Sequence, residues 1–399
     1  MHDGATPHRS VAFEGLVLAV GLIVYGSLYP FTFSSSFDPA RRLLIWAPRI
    51  GRGDLVANLV LYAPLGYCGY FAFKLSGRRL RALWLVIGGG LLSLAIEIAQ
   101  AFERNRVSSW DDVGLNVVST ALGVAGAAVT GRLLSRPRFA ANTGTRAALL
   151  LLALWGASRL APFVPSLDMQ QLKDALKPLI DTPVPNLAQV VYYGAMWLVV
   201  VRLLAEVAGT IPVPIAAVAV GGLVTAARLV VDGRQLVPAE LVAFVVAAVL
   251  WQLGVRRAWM LAGLFAIGIL VDGLQPFDFS AHNRFVLVPF RGFIAGAFEA
   301  GVQTILTKLF LGGALAWLLL RAGWPFAGVL FAGAALFLGI ELAQTRLVGR
   351  LAEVTDPLLF VAVCAVVQAL DDTARTTGMV KQSTASSTRT RRPRYNRQR

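Results

Sequence analysis

Apolar runs long enough to cross a bilayer alternate with short polar connections along almost the whole chain. Read by that alternation, twelve helical spans are predicted, over residues 13–29, 55–74, 82–102, 113–131, 146–161, 187–205, 213–231, 240–255, 258–272, 297–320, 324–345 and 357–370. About 20 apolar residues carry a helix across the hydrocarbon core. Windows this apolar have to be helical, because only a helix satisfies its own backbone where water is absent. An even number of spans puts both termini on one side.

The polar connections recur in order. "LYPFTFS" from residue 28, "LAPFVPS" from 160 and "LQPFDFS" from 274 each follow an apolar span. Further on in each stretch an Arg precedes an acid by six positions: Arg106 and Asp112, Arg234 and Glu240, Arg350 and Asp356. Between these landmarks "ANLVLYAPLG" is echoed by "PNLAQVVYYG", which aligns Asn58 with Asn186, and "IEIAQ" (Glu97, Gln100) returns as "IELAQ" (Glu341, Gln344). The middle stretch has Thr225 and Arg228 in place of that pair. The expectation is an all-α polytopic membrane protein of about twelve transmembrane helices, in three tandem four-helix units. These cover 1–140, 141–256 and 257–372, followed by a disordered basic tail over 373–399. Four spans per unit is an even number, so all three units insert the same way round, unlike an inverted repeat.

Composition agrees: 399 residues, 56% hydrophobic and 15% charged, with a mean hydropathy of +0.65, exclude an ordinary soluble domain. The first apolar run lacks a small-residue cleavage site and reads as a retained helix. The net charge of +15 falls almost entirely on the side holding both termini, which places the termini in the cytoplasm. That charge therefore serves topology and attracts anionic lipid headgroups to the tail, and nucleic acid is not an expected partner. Cys68 and Cys364 lie in separate apolar windows and the three histidines are scattered, so no metal, disulfide or cofactor is expected.

The densest charge lies on "ERNRVSSWDDVGLN", between two apolar spans. Asp54 and Asn58 share a helix face, as do Glu97 and Gln100, and Asp112 and Asn116. With Arg106 they converge under the outer surface, where ionisable groups usually pair or serve function. An Arg fork suits a phosphate or carboxylate, and Glu97 is the one candidate general base. The competing reading is architectural: each acid starts a helix, Pro238 and Pro357 marking the starts, and each Arg latches onto its acid. Asn186, Arg234, Glu240, Glu341, Gln344, Arg350 and Asp356 are the repeat-equivalent positions. Lys308, inside a span, is expected to pair with Glu299 or Asp278. Gly88, Gly89 and Gly90 read as close helix packing.

"GDLVANLVLYAPLG", "EIAQ" and "RVSSWDDVGLN", with Gly123 beyond, resemble the VanZ-like family of membrane proteins over about residues 20–130. The later copies depart from the pattern: neither has Pro-Leu-Gly, and Phe244 and Phe360 stand where Asn116 does. The resemblance implies a bacterial cytoplasmic membrane and an association with low-level teicoplanin resistance, and it supplies no reaction. The expected function is binding of an anionic or sugar-bearing, lipid-linked envelope component at an outer-face pocket in the first unit. The alternatives are a transporter or flippase and a scaffold without ligand, and an enzyme is not the favoured reading.

Overall fold

The computed structural model describes residues 7–29, 31, 33, 44–46, 52–73, 78–103, 108–134, 145–164, 166, 168–181, 184–292 and 298–370. The side chains of 7–11, 52–60, 78, 133–134 and 298–300 lie outside that description, as do Arg106 and the tail from 373. Among the described residues the chain forms thirteen helices, and strand pairing is limited to isolated bridges. They are α1 (Pro7–Leu28), α2 (Arg52–Ala72), α3 (Arg78–Gln100), α4 (Trp110–Leu134), α5 (Thr145–Leu160), α6 (Met169–Asp181) and α7 (Leu187–Val207). There follow α8 (Val213–Leu229), α9 (Pro238–Gln252), α10 (Ala258–Gly273), α11 (Phe298–Arg321), α12 (Phe326–Gln344) and α13 (Thr355–Leu370).

Five stretches are long and apolar enough to cross a membrane: Arg79–Gln100, Trp110–Arg132, Leu187–Val207, Gly301–Arg321 and Phe326–Gln344. Five shorter helices are apolar as well. The chain is a multi-pass helical membrane protein. The helix the spans did not predict is α6, whose "MQQLKDALKPLID" contains no apolar window. It buries Gln171 and Ala175 on one side and exposes Met169 and Ile180 on the other.

Helix starts follow local chemistry. Pro238 opens α9 at a position where its missing N–H costs nothing. Asp111 and Asp112 lie in the first turn of α4, where the helix dipole favours an anion. Asn186, exposed, caps α7 by accepting the Ala188 N–H on its Oδ1 at 2.9 Å.

Helices α1–α4 pack among themselves around Leu16, Ile23, Tyr62, Leu65 and Ile96. The α2–α4 crossing is the closest approach. A Cβ on Gly66 would lie 2.1 Å from the Thr120 carbonyl oxygen, and one on Gly123 would lie 2.0 Å from that of Ala63. Gly89 and Gly90 meet Thr120 and Val117 of α4, as close packing predicts, whereas Gly88 faces open space.

The remaining helices other than α6 share a second core containing Trp155, Trp197, Phe265, Phe310 and Trp317. Its pairing is reciprocal: α5 lies on α11, and α10 lies on α7. A Cβ on Gly313 would sit 2.7 Å from Leu151, and one on Gly268 would sit 2.8 Å from the Ala195 Cβ. Helices α1–α4 join this body through α2 against α11 and through the Tyr25 hydroxyl, which donates to the Pro289 carbonyl at 2.9 Å.

Candidate ligand-binding site at the paired-loop end

The phenylalanines of the three Pro-Phe segments share one backbone conformation, Pro30 lying outside the described residues. Phe31, Phe163 and Phe277 take φ of 62°, 63° and 64°, a left-handed conformation uncommon for a bulky residue. Each donates its N–H to a leucine carbonyl three residues back, Leu28, Leu160 and Leu274, at 2.7, 2.8 and 2.8 Å. The turn ends the preceding helix and leaves the aromatic ring exposed. The chain then pairs with the connection that precedes α4, α9 or α13. Ile45 N–H donates to Ser108 O and Trp110 N–H to Ile45 O, and likewise Val286 N–H to Ala352 O and Val354 N–H to Val286 O.

The Glu-x2-Gln pair fastens these connections to the helices. Glu97 Oε2 accepts the Ser109 N–H at 2.8 Å, and Gln100 Nε2 donates to the Ser27 carbonyl at 2.8 Å. Around α12 the bonds recur: Glu341 Oε2 accepts the Glu353 N–H at 2.7 Å, and Gln344 Nε2 donates to the Gly273 carbonyl at 3.0 Å. A carboxylate bonded to a backbone N–H of the connection that follows its own helix has a structural task before any chemical one.

What sets α1–α4 apart is a buried polar set inside the fasteners. Asn116 is 4% exposed; its Nδ2 donates to Ser93 Oγ at 2.8 Å, and its backbone carbonyl accepts the Thr120 hydroxyl at 2.8 Å. The buried Asn116 Oδ1 has no hydrogen-bond partner among the described residues. The Tyr62 hydroxyl is buried beside Ser93 without a hydrogen bond of good geometry, and Glu97 and Asp112 both act on it electrostatically. The structure thus brings Glu97, Asp112 and Asn116 together, with Gln100 one turn from Glu97. Asp54 and Asn58 lie on α2, their side chains outside the described residues.

Residues 7–131 match the model of the VanZ/LLP1 family. This segment is VanZ-like. No curated protein and no solved structure matches the chain. The VanZ-like match ends before α5, so the two later charged clusters stand on their own geometry.

The middle cluster consists of Arg159 at the end of α5, Arg228 at the end of α8, Arg234 in the following connection, and Glu240 in the first turn of α9. Arg228 Nη1 donates to Glu240 Oε2 at 2.6 Å, and Arg159 pairs with the same oxygen. Arg228 Nη2 donates to the Gln235 carbonyl. The Arg159 guanidinium lies 5.3 Å over the Tyr193 ring. Burial, then the nearby Arg228 and Arg159 charges, hold the Arg234 guanidinium below its usual range. In the last cluster Lys308 of α11 pairs with Asp356 in the first turn of α13, and Glu341 lies within electrostatic reach of both.

Two expectations need correction. In the architectural reading each Arg latches onto the acid six residues later, a pairing that for Arg106 lies outside the described residues. Instead Arg350 donates from Nε to Gln275 O at 2.9 Å and from Nη2 to Asp272 O at 3.0 Å. Those carbonyls lie at the C-terminal end of α10, where unsatisfied acceptors and the dipole attract a cation. Arg234 likewise does not pair with Glu240, which Arg228 and Arg159 occupy. The second correction is Lys308, which pairs with Asp356 rather than Asp278, while the Glu299 side chain lies outside the described residues. Residues the sequence reading passed over are Gln171 and Asn283, each spanning a connection with its amide. Gln171 Nε2 donates to the Val231 and Arg234 carbonyls, and Asn283 Nδ2 to those of Leu347 and Arg350. Arg228 standing where a Gln was expected, with Glu240 beyond it, was the visible signal for the middle cluster.

Proposed function

We propose that the VanZ-like segment binds the polar headgroup of an anionic or sugar-bearing envelope amphiphile at its paired-loop end, which faces outward. The observation that supports this is the buried, unpartnered Asn116 Oδ1 beside Ser93, Tyr62, Glu97 and Asp112. An orphaned buried acceptor costs about 1–3 kcal/mol, which a ligand hydroxyl or amide would recover. The family resemblance connects such a ligand to envelope precursors and to teicoplanin tolerance.

On this reading the chain is three four-helix units in one orientation, both termini are cytoplasmic, and the basic tail meets anionic headgroups. The matching Phe turns, the paired Glu and Gln fasteners, and the Gln171 and Asn283 clamps support the division. Transport is the less supported alternative. Its charged helix residues, Lys308, Asp356 and Glu341, gather at the level where α13 begins rather than along a path.

The test is mass spectrometry of lipids co-purified with the wild type and with Asn116→Leu, both monodisperse. An enriched headgroup class lost in the variant is expected. Identical bulk lipid in the two samples would refute the pocket.

A further inference from the structure

The middle cluster gathers three guanidiniums around Glu240, with Asp232 in the same turn as Arg234. Glu240 faces Arg159 and Arg228, while Arg234 stands within electrostatic reach of both guanidiniums. Arg228 is only 7% exposed. Its Nε is buried without a hydrogen-bond partner, and so are the Nε atoms of Arg159 and Arg234. An unpaired buried charge is costly, so a residual positive cluster at a helix-bundle end favours a counter-charge. Three guanidiniums around one carboxylate leave a residual positive charge that an anion would offset.

Two further features fix the chemistry of that anion. Arg forks bind phosphate oxygens bidentately, a match that a spherical halide does not offer. The cluster also lies beside α6, which clamps the Val231–Arg234 turn through Gln171 and accepts the Leu236 N–H on the Ala175 carbonyl. With Met169 and Ile180 exposed, α6 has the form of a helix lying in a membrane interface, the depth of lipid phosphates.

We propose that Arg159, Arg228 and Arg234, with Glu240 as their internal counter-ion, form a phosphate-binding site that takes the phosphate of a membrane-lipid headgroup. The site is separate from the Asn116 pocket: it is built from α5, α8 and α9 and lies outside the VanZ-like match. It does not depend on that pocket's function.

The full-length chain, delipidated in a neutral detergent, is titrated with short-chain phosphatidic acid, with short-chain phosphatidylcholine and with inorganic phosphate, and its thermal midpoint is followed. Phosphatidic acid is expected to raise the midpoint with saturation, and Arg234→Gln to weaken its apparent affinity by about tenfold, the size of one charge-assisted hydrogen bond. Lys308→Gln, a charge removed elsewhere, should leave that affinity unchanged. If Arg234→Gln does not yield monodisperse protein, Arg234→Lys keeps the charge, loses the fork, and should also weaken binding. Equal stabilisation by inorganic phosphate, abolished in the same Arg234 variant, would keep the phosphate site and overturn its lipid source. No saturable response to either phosphate, or a response unchanged in the Arg234 variant, would overturn the site.

Discussion

Gly66 and Gly123 sit at the same crossing of α2 and α4, each where a Cβ would reach to within 2.1 or 2.0 Å of a carbonyl oxygen on the other helix. Backbone meets backbone there, so no side chain can yield. Gly123→Val should prevent stable packing of α1–α4, since overpacking commonly costs 1–3 kcal/mol even where neighbours relax. Gly88→Ala, into open space, should be silent. Monodispersity and thermal midpoints of the two variants check the contrast.

Gln344 ties α12 to the end of α10 through the Gly273 carbonyl, as Gln100 ties α3 to Ser27. Gln344→Ala removes one hydrogen bond and orphans a carbonyl, a loss of about 1–2 kcal/mol. Gln100→Ala should cost the same if both are fasteners. Paired urea or thermal unfolding in one detergent would show it, and a neutral Gln100→Ala would reassign that residue to ligand binding.

The Lys308–Asp356 pair is partly exposed on the lysine side, at 26% against 13%. Breaking a fully buried pair costs about 3–5 kcal/mol, and Lys308→Met alone should cost roughly half of that. Lys308→Met with Asp356→Leu should recover most of the loss. The four-member cycle, read from thermal midpoints, gives the coupling directly.

Asn283 holds the Leu347 and Arg350 carbonyls with one amide. In Asn283→Ala the 345–350 connection loses the two bonds from this amide, keeping its backbone pairing and the Arg350 contacts, while the helices keep their packing. Limited trypsin digestion should then cut at Arg346 or Arg350 several-fold faster than in wild type, with the thermal midpoint lowered by only a few degrees. Unchanged cleavage would remove the clamp.

Most helix positions were legible because membrane helices announce themselves by uninterrupted apolar windows, and Pro238 and Pro357 marked where two of them begin. The Phe turns showed as a repeated dipeptide, although their left-handed backbone did not. Partner choice among charges was not legible. Arg234 and Arg350 lie nearest their acids in sequence, yet Arg228 and Arg159 reach Glu240 and Lys308 reaches Asp356, because helix packing rather than spacing brings those groups together. Helix α6 was missed for the converse reason: its Gln, Lys and Asp residues suit a surface, and a search for apolar windows passes over it. Within the candidate site, Asn116 was named from its spacing, but its orphaned oxygen follows from where Ser93 lies on α3.

The reciprocal seating of α5 on α11 and of α10 on α7 has a consequence for how the chain is made. Helices leave the ribosome in order, so α1–α4 can close on themselves as soon as α4 is inserted. Helices α5 and α7 must wait for partners encoded later in the chain, more than a hundred residues later in the case of α5. The protein is thus a module that finishes early, followed by a clasp whose α7–α10 arm can shut before its α5–α11 arm is made.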